Sequence, residues 1–264
     1  MAALQFVVIG DLQETSFLER TLLRRESNPQ IPDLLVKQIL SAPKSAHPQF
    51  VVLLGDLVTG VFTQNAWKRS DRIVRPFHRA KIPLYACLGN HDVPRSSFLK
   101  RFPFEQPQVC SVVRIQNLAM IFLNSCANKG EFKKQKHWLL EQMNHLNRES
   151  EIQQLIVFSH HPPFSQSISK RDQPRLRSDI LPMLLACDKF KMWISGHAHV
   201  YEHFQFYDRH FLVSGGGGAP RIKVDQKSIC PFHYLNIQID TERNATRVTS
   251  ISLNESTPFD EFDY

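Results

Sequence analysis

The feature that most restricts the fold of this 264-residue chain is a set of short apolar runs, each closed by a small polar cluster. Residues 4–9, 50–54 and 83–88 are such runs, with almost no polar interruption. Runs of this length suit strands that are buried on both faces. Helical patterns separate them, at 33–40 (Asp-Leu-Leu-Val-Lys-Gln-Ile-Leu) and around 67–79. Strand–helix–strand alternation predicts parallel pairing with right-handed crossovers. A hairpin is expected next, with strands 111–115 and 118–124 flanking the two-residue turn Gln116-Asn117. Residues 134–146 then place Trp138, Leu139, Met143 and Leu146 near helical spacing. Strands are expected at 154–159 and 191–195, joined by a helix over 178–187 with Pro182 in its first turn.

Beyond residue 200 the pattern changes. Residues 200–206, 210–214, 234–240 and 246–253 are strand-like with short connections, which predicts an antiparallel meander. Two mixed sheets packed face to face, with helices outside, accommodate both halves. The expected fold is therefore α/β, a four-layer αββα sandwich in one domain over residues 1–254. Residues 255–264 are expected to be a short acidic tail that frays.

The polar clusters carry the chemistry. They are Gly10-Asp11-Leu12-Gln13, Gly55-Asp56, Gly89-Asn90-His91-Asp92, Ser159-His160-His161-Pro162-Pro163 and Gly196-His197-Ala198-His199. Ligands of open α/β sheets bind at the carboxyl ends of strands, where all five clusters fall. Carboxylate and imidazole together suit Mn, Fe, Zn or Ni, and a carboxylate can bridge two ions. Two such ions about 3.5–4 Å apart can clamp a phosphoryl oxygen and activate water. Taken singly, each cluster has a simpler explanation: Gly-Asp suits turns and helix N-caps, and a His pair two residues apart is usually structural. Five clusters at equivalent positions outweigh those explanations. No cysteine lies among them, which argues against a structural thiolate zinc site.

Composition adds limits. The formal charge is +7; a phosphate-bearing substrate would gain from such a field, but a plain soluble, basic surface is the simpler explanation. The basic residues are scattered and not interleaved with aromatics, so a nucleic-acid partner is not indicated. The five cysteines are widely spaced, without a CxxC pair, and are expected to be reduced, mostly buried thiols. No stretch approaches the roughly 18–20 apolar residues of a membrane-spanning helix. The N-terminal residues lack a basic region and enter a strand-like run at once, so no signal peptide is expected and the expected compartment is cytoplasmic.

In this order, Asp11-Leu-Gln13, Gly55-Asp-Leu-Val58, Gly89-Asn-His-Asp92, His160-His-Pro-Pro163 and Gly196-His-Ala-His199 resemble the motifs of the calcineurin-like metallophosphoesterase superfamily. The resemblance runs from Asp11 to His199 and implies the αββα fold reached above. It implies two divalent metal ions, manganese foremost with Fe, Zn and Mg as alternatives, and hydrolysis by a hydroxide between them. By position, Asp56 would bridge; Asp11 and His199 would hold the first metal; Asn90, His160 and His197 the second. His91 would contact the phosphate and protonate the leaving group, with Asp92 orienting its ring.

Gln13 departs from the pattern, because the family usually carries histidine there. An amide oxygen is a weaker donor than imidazole, which favours Mn or Mg over Fe at that position. Branches similar to manganese-dependent ADP-ribose/CDP-alcohol diphosphatases also carry Gln here. His161 and Arg95 are candidate substrate contacts; packing beside Pro162 and plain solvation are the competing explanations. The expected activity is hydrolysis of a phosphoester or diphosphate bond in a small, nucleotide-like substrate, and the chain's length leaves little room for an added DNA-binding domain. Phosphoprotein and nucleic-acid substrates are the alternatives. A non-catalytic interaction protein on the same scaffold, as in retromer-type relatives, is the competing class; the retained ligands argue against it. Specificity is expected in loops 94–109 and 165–177.

Overall fold

The computed structural model describes residues 4–60, 64–104, 109–167, 172–221, 231–255 and 257–264. Parts of both expected specificity loops (105–108 and 168–171) and Cys230 lie outside them. In chain order the elements are β1 (Leu4–Ile9), α1 (Phe17–Thr21), α2 (Ile31–Leu40), β2 (Phe50–Leu53), α3 (Gln64–Arg79), β3 (Leu84–Ala86), α4 (Arg95–Arg101), β4 (Ser111–Ile115), β5 (Leu118–Leu123), α5 (Lys129–Arg148), β6 (Gln154–Ser159), α6 (Leu181–Leu185), β7 (Phe190–Ser195), β8 (Tyr201–Phe206), β9 (Arg209–Ser214), β10 (His233–Asp240), β11 (Ala245–Ser252) and β12 (Pro258–Asp263).

Two six-stranded mixed sheets result. One has the order β12-β11-β10-β1-β2-β3 and the other β4-β5-β6-β7-β9-β8. Pairing of β1 with β2 and of β2 with β3 is parallel, as the alternation predicts. The β4–β5 hairpin closes Ile115 against Leu118 around the expected two-residue turn.

Strand alternation divides the core into three layers. Phe6, Val8, Phe50 and Val52 meet Phe122, Phe158, Met192 and Ile194 between the sheets. Val7, Ile9, Val51 and Leu53 face α2, α3 and α4 through Leu35, Ile73, Phe77 and Phe98. Ile121, Val157 and Trp193 face α5 and α6 through Leu139, Leu146 and Leu184. Both faces of the central strands are therefore dry, which is why their sequences read as continuous apolar runs. Helix α5 begins with a capping box: the Asn128 side chain accepts from the Gly130 and Glu131 amides, and Glu131 accepts from the Asn128 amide.

Four expectations are corrected. The C-terminal strands do not form one meander: β8 and β9 complete the second sheet, with β9 parallel to β7, while β10 pairs antiparallel with β1 of the first. Hydrophobic alternation gives strand type but not sheet membership. The acidic tail does not fray. It forms β12 on the edge of the first sheet, held by Arg247–Asp263 hydrogen bonds at 2.9 and 3.0 Å and by Phe262 packed against the inter-sheet core. The helix expected over 178–187 divides into a π-helical turn, Leu176–Ile180, and α6, because Pro182 has no N–H to continue the ladder and fits only a first turn. Part of the 94–109 loop is helix α4, anchored by buried Phe98.

Candidate metal centre

The sheets deliver their polar clusters to one place. Asp11, Asp56, His197 and His199 all lie just past strand ends, and all have positive φ (59°, 52°, 70° and 54°). Left-handed backbone at four non-glycine positions costs energy and concentrates at functional sites. The sharp turns bring the backbones very close. A Cβ on Gly55 would lie 2.7 Å from the Gly89 nitrogen, and one on Gly215 would lie 2.6 Å from the His199 nitrogen. The four-glycine run 215–218 is thus a tight loop that lets the chain pass His199.

Two donor groups form. In the first, Asp11, Asp56 and His199 are all buried, with ligand atoms within 4.8 Å of one another. Gln13 joins them: its Nε2 lies 3.3 Å from both Asp56 Oδ2 and His199 Nε2. In the second, His160 Nε2 has Asn90 Oδ1 at 3.0 Å, His197 Nδ1 at 3.2 Å and Asp56 Oδ1 at 3.3 Å. Asp56 therefore faces both groups, one oxygen to each.

The imidazoles are set from behind. His160 Nδ1 stands 2.9 Å from Leu54 O, and His199 Nδ1 stands 2.8 Å from Pro220 O. A carbonyl only accepts, so each ring places its proton on Nδ1 and presents the Nε2 lone pair inward. The Nε2 atoms of His160 and His199, the Asn90 carbonyl oxygen and the Asp56 carboxylate are thus held at the centre as ligand atoms. That arrangement fits a divalent cation, which supplies the missing positive charge. Burial alone would lower the His160 pKa. The Asp56 charge and hydrogen bond, and the Asp11 charge, outweigh it and carry the group up to about 9, so a proton competes for the place a cation would take.

The Asp92 carboxylate is engaged by backbone amides. Its Oδ2 accepts from the Gly89 amide at 2.8 Å and the Asp56 amide at 3.0 Å, and its Oδ1 from the Leu57 amide at 2.7 Å. Three backbone donors occupy the carboxylate, which clamps the Asp56 turn onto the Gly89–Asp92 turn. Burial and the neighbouring Asp56 charge push its carboxyl up, against the pull of those donors. The His91 amide donates to Asp56 Oδ1 at 2.9 Å, and its half-exposed ring lies over Gly60, where a Cβ would be 2.7 Å from Nδ1.

A cleft of about 370 Å³ opens beside the second group, lined by Asn90, Arg95, Ser125, Cys126, His161 and Gln173 among others. The Arg95 guanidinium, in the cleft wall, pairs with Glu131 at 2.5 Å and stays about a third exposed. The His161 ring stands 4.1 Å from that of His197 and 4.9 Å from that of His160, centre to centre. Ser125, Leu54 and Pro220 escape sequence reasoning. The last two act through backbone carbonyls, which leave no residue-type signal, and Ser125 looks like any strand-end serine.

The profile of calcineurin-like phosphoesterases matches residues 4–201. The chain belongs to the calcineurin-like phosphoesterase family. The human serine/threonine-protein phosphatase CPPED1 is 29% identical over 191 residues, 65% of this chain and 60% of that protein. The match thus spans less than two thirds of that relative. Among solved structures, a dimetal phosphatase from Danio rerio superposes with a TM-score of 0.70 at 13% identity, covering 100% of this chain and 99% of that one. Purple acid phosphatase PPD1 of yellow lupin gives 0.76 at 15% identity, covering 99% of this chain and 53% of that one. Both share the αββα fold of the family.

Proposed function

We propose that this calcineurin-like phosphoesterase hydrolyses a phosphoester or diphosphate bond of a small, nucleotide-like substrate at a centre for two divalent metals. The observation that carries the reading is Asp56, whose two oxygens address two separate donor groups 3.3 Å away on either side. Asp11, Gln13 and His199 would hold the first ion with Asp56, and Asn90, His160 and His197 the second. Gln13 would serve by turning its carbonyl oxygen inward. Manganese is the ion that this oxygen-richer first site favours, with Mg, Zn and Fe as alternatives. When bound, such ions polarise a phosphoryl oxygen and lower the pKa of an attacking water.

The chain's own residues do the rest. Asp92 and the Gly89 turn keep Asp56 in place. His91, half-exposed beside the bridging carboxylate, donates a proton to the departing oxygen, a task suited to an imidazole. The cleft of about 370 Å³ beside Asn90 and His161 has room for a small phosphate ester. This supports a small organic phosphate. The name of the human relative supports a second substrate class, phosphoserine or phosphothreonine in a protein.

A manganese-loaded screen of monoesters, bis-esters, nucleotide diphosphates and phosphopeptides tests the reading. Hydrolysis of a small ester that His91→Ala slows at least about 100-fold, the scale of general acid catalysis, is the expected result. Absence of turnover with every substrate, together with failure to retain metal, refutes it.

A further inference from the structure

We propose that Ser125 holds His161 as a proton donor at Nε2, which hydrogen-bonds a phosphoryl oxygen of the substrate and does not join the metal ligands. The inference rests on the phosphoesterase reading and assigns one more residue pair to that site. Ser125 follows β5 and is 2% exposed. Its Oγ accepts the His161 backbone N–H at 2.9 Å and also lies 2.9 Å from His161 Nδ1.

A hydroxyl has one proton, and a buried one needs an acceptor. Were the ring proton on Nδ1, it would point at Oγ. The hydroxyl proton would then be left with the Cys126 thiol beside it, and sulfur is a weak acceptor. The opposite arrangement satisfies every group: the His161 amide donates to Oγ, the hydroxyl donates to Nδ1, and the neutral ring carries its proton on Nε2.

The neighbouring imidazoles are wired the other way. His160 and His199 give Nδ1–H to the Leu54 and Pro220 carbonyls and present bare Nε2 atoms. Proximity alone groups His161 with His160 and His197 as a third nitrogen ligand, since their ligand atoms lie within 4.8 Å. Proton accounting separates His161 from His160: the His160 ring presents a bare Nε2 to a cation, and His161 is built to donate to an anion. Its ring lines the cleft that Asn90 shares.

The test uses the zinc-loaded full chain, with inorganic phosphate as the probe. Long-range ¹H–¹⁵N NMR of the imidazoles reads the tautomer, calorimetry reads phosphate affinity, and elemental analysis reads zinc per chain. The expected result is an Nε2-protonated His161 in the wild type. Ser125→Ala loses that preference and weakens phosphate binding by about tenfold, the loss of one hydrogen bond to a charged group. Ser125→Thr keeps the hydroxyl and restores both. His161→Ala weakens phosphate at least as much while zinc per chain stays at the wild-type value. An Nδ1-protonated His161, loss of zinc in His161→Ala, or unchanged phosphate affinity in Ser125→Ala each overturns the proposal. If Ser125→Ala does not fold, the wild-type spectrum and His161→Ala still decide. A wild-type chain that takes up no zinc refutes the phosphoesterase reading itself, a separate failure.

Discussion

Replacing Asp92 with asparagine distinguishes its two conceivable roles. Asp92 is 1% exposed and receives three amide protons, two at Oδ2 and one at Oδ1. Asparagine is isosteric and can keep its oxygen in the Oδ2 position, retaining the Gly89 and Asp56 donors. Its NH₂ must then face the Leu57 N–H, which loses one charge-assisted bond and sets donor against donor. Such a bond is worth about 1.5–3 kcal/mol, and an unpaired buried donor costs about 1–3 kcal/mol. Removing a negative charge near Asp56 offsets part of this. The expected net loss is roughly 2–3 kcal/mol of folding stability, a substantial share of the 5–15 kcal/mol typical of a domain. Urea denaturation of wild type and Asp92→Asn, with and without zinc, measures it. Because the clamp positions Asp56, zinc affinity should fall in step. Unaltered stability and metal affinity, with a displaced alkaline limb of the pH–rate profile, would instead mean that Asp92 acts on the His91 ring.

Gly89→Ala should be more severe, because the added Cβ would collide with the Asp56 backbone nitrogen and carboxylate; a loss of about 3 kcal/mol or more and failure to retain metal are expected in thermal melts and elemental analysis. His233 is buried and neutral, giving Nδ1–H to Pro231 O and receiving the Ser214 hydroxyl, and burial lowers its pKa to about 4. The unfolded chain binds this proton first, so stability is full above about pH 6.5 and declines by up to about 3 kcal/mol as pH falls toward 4. Urea titrations across that window should show a shallower decline for His233→Gln; parallel curves would refute the assignment. Gln13→His should tighten the first metal about tenfold, the scale on which changes at and around metal ligands act, as read by chelator competition. Unchanged affinity would place position 13 outside the coordination sphere.

The strand-end positions of Asp11, Asp56, Asn90, His160, His197 and His199, and with them the two-sheet fold, are legible in the sequence because local apolar runs and the polar residues that end them are written consecutively in the chain. The sequence could not assign β8 to β12 to their sheets, since pairing such as Phe6 with Ile237 joins residues far apart in sequence that any alternating strand could replace. Nor could it find the backbone partners of Asp92, or see Leu54 O, Pro220 O and Ser125 behind the imidazoles. Those contacts are made by backbone groups and one unremarkable hydroxyl. Only packing the two sheets together brings them within hydrogen-bond distance, and that decides which nitrogen of His160 and His199 carries the proton.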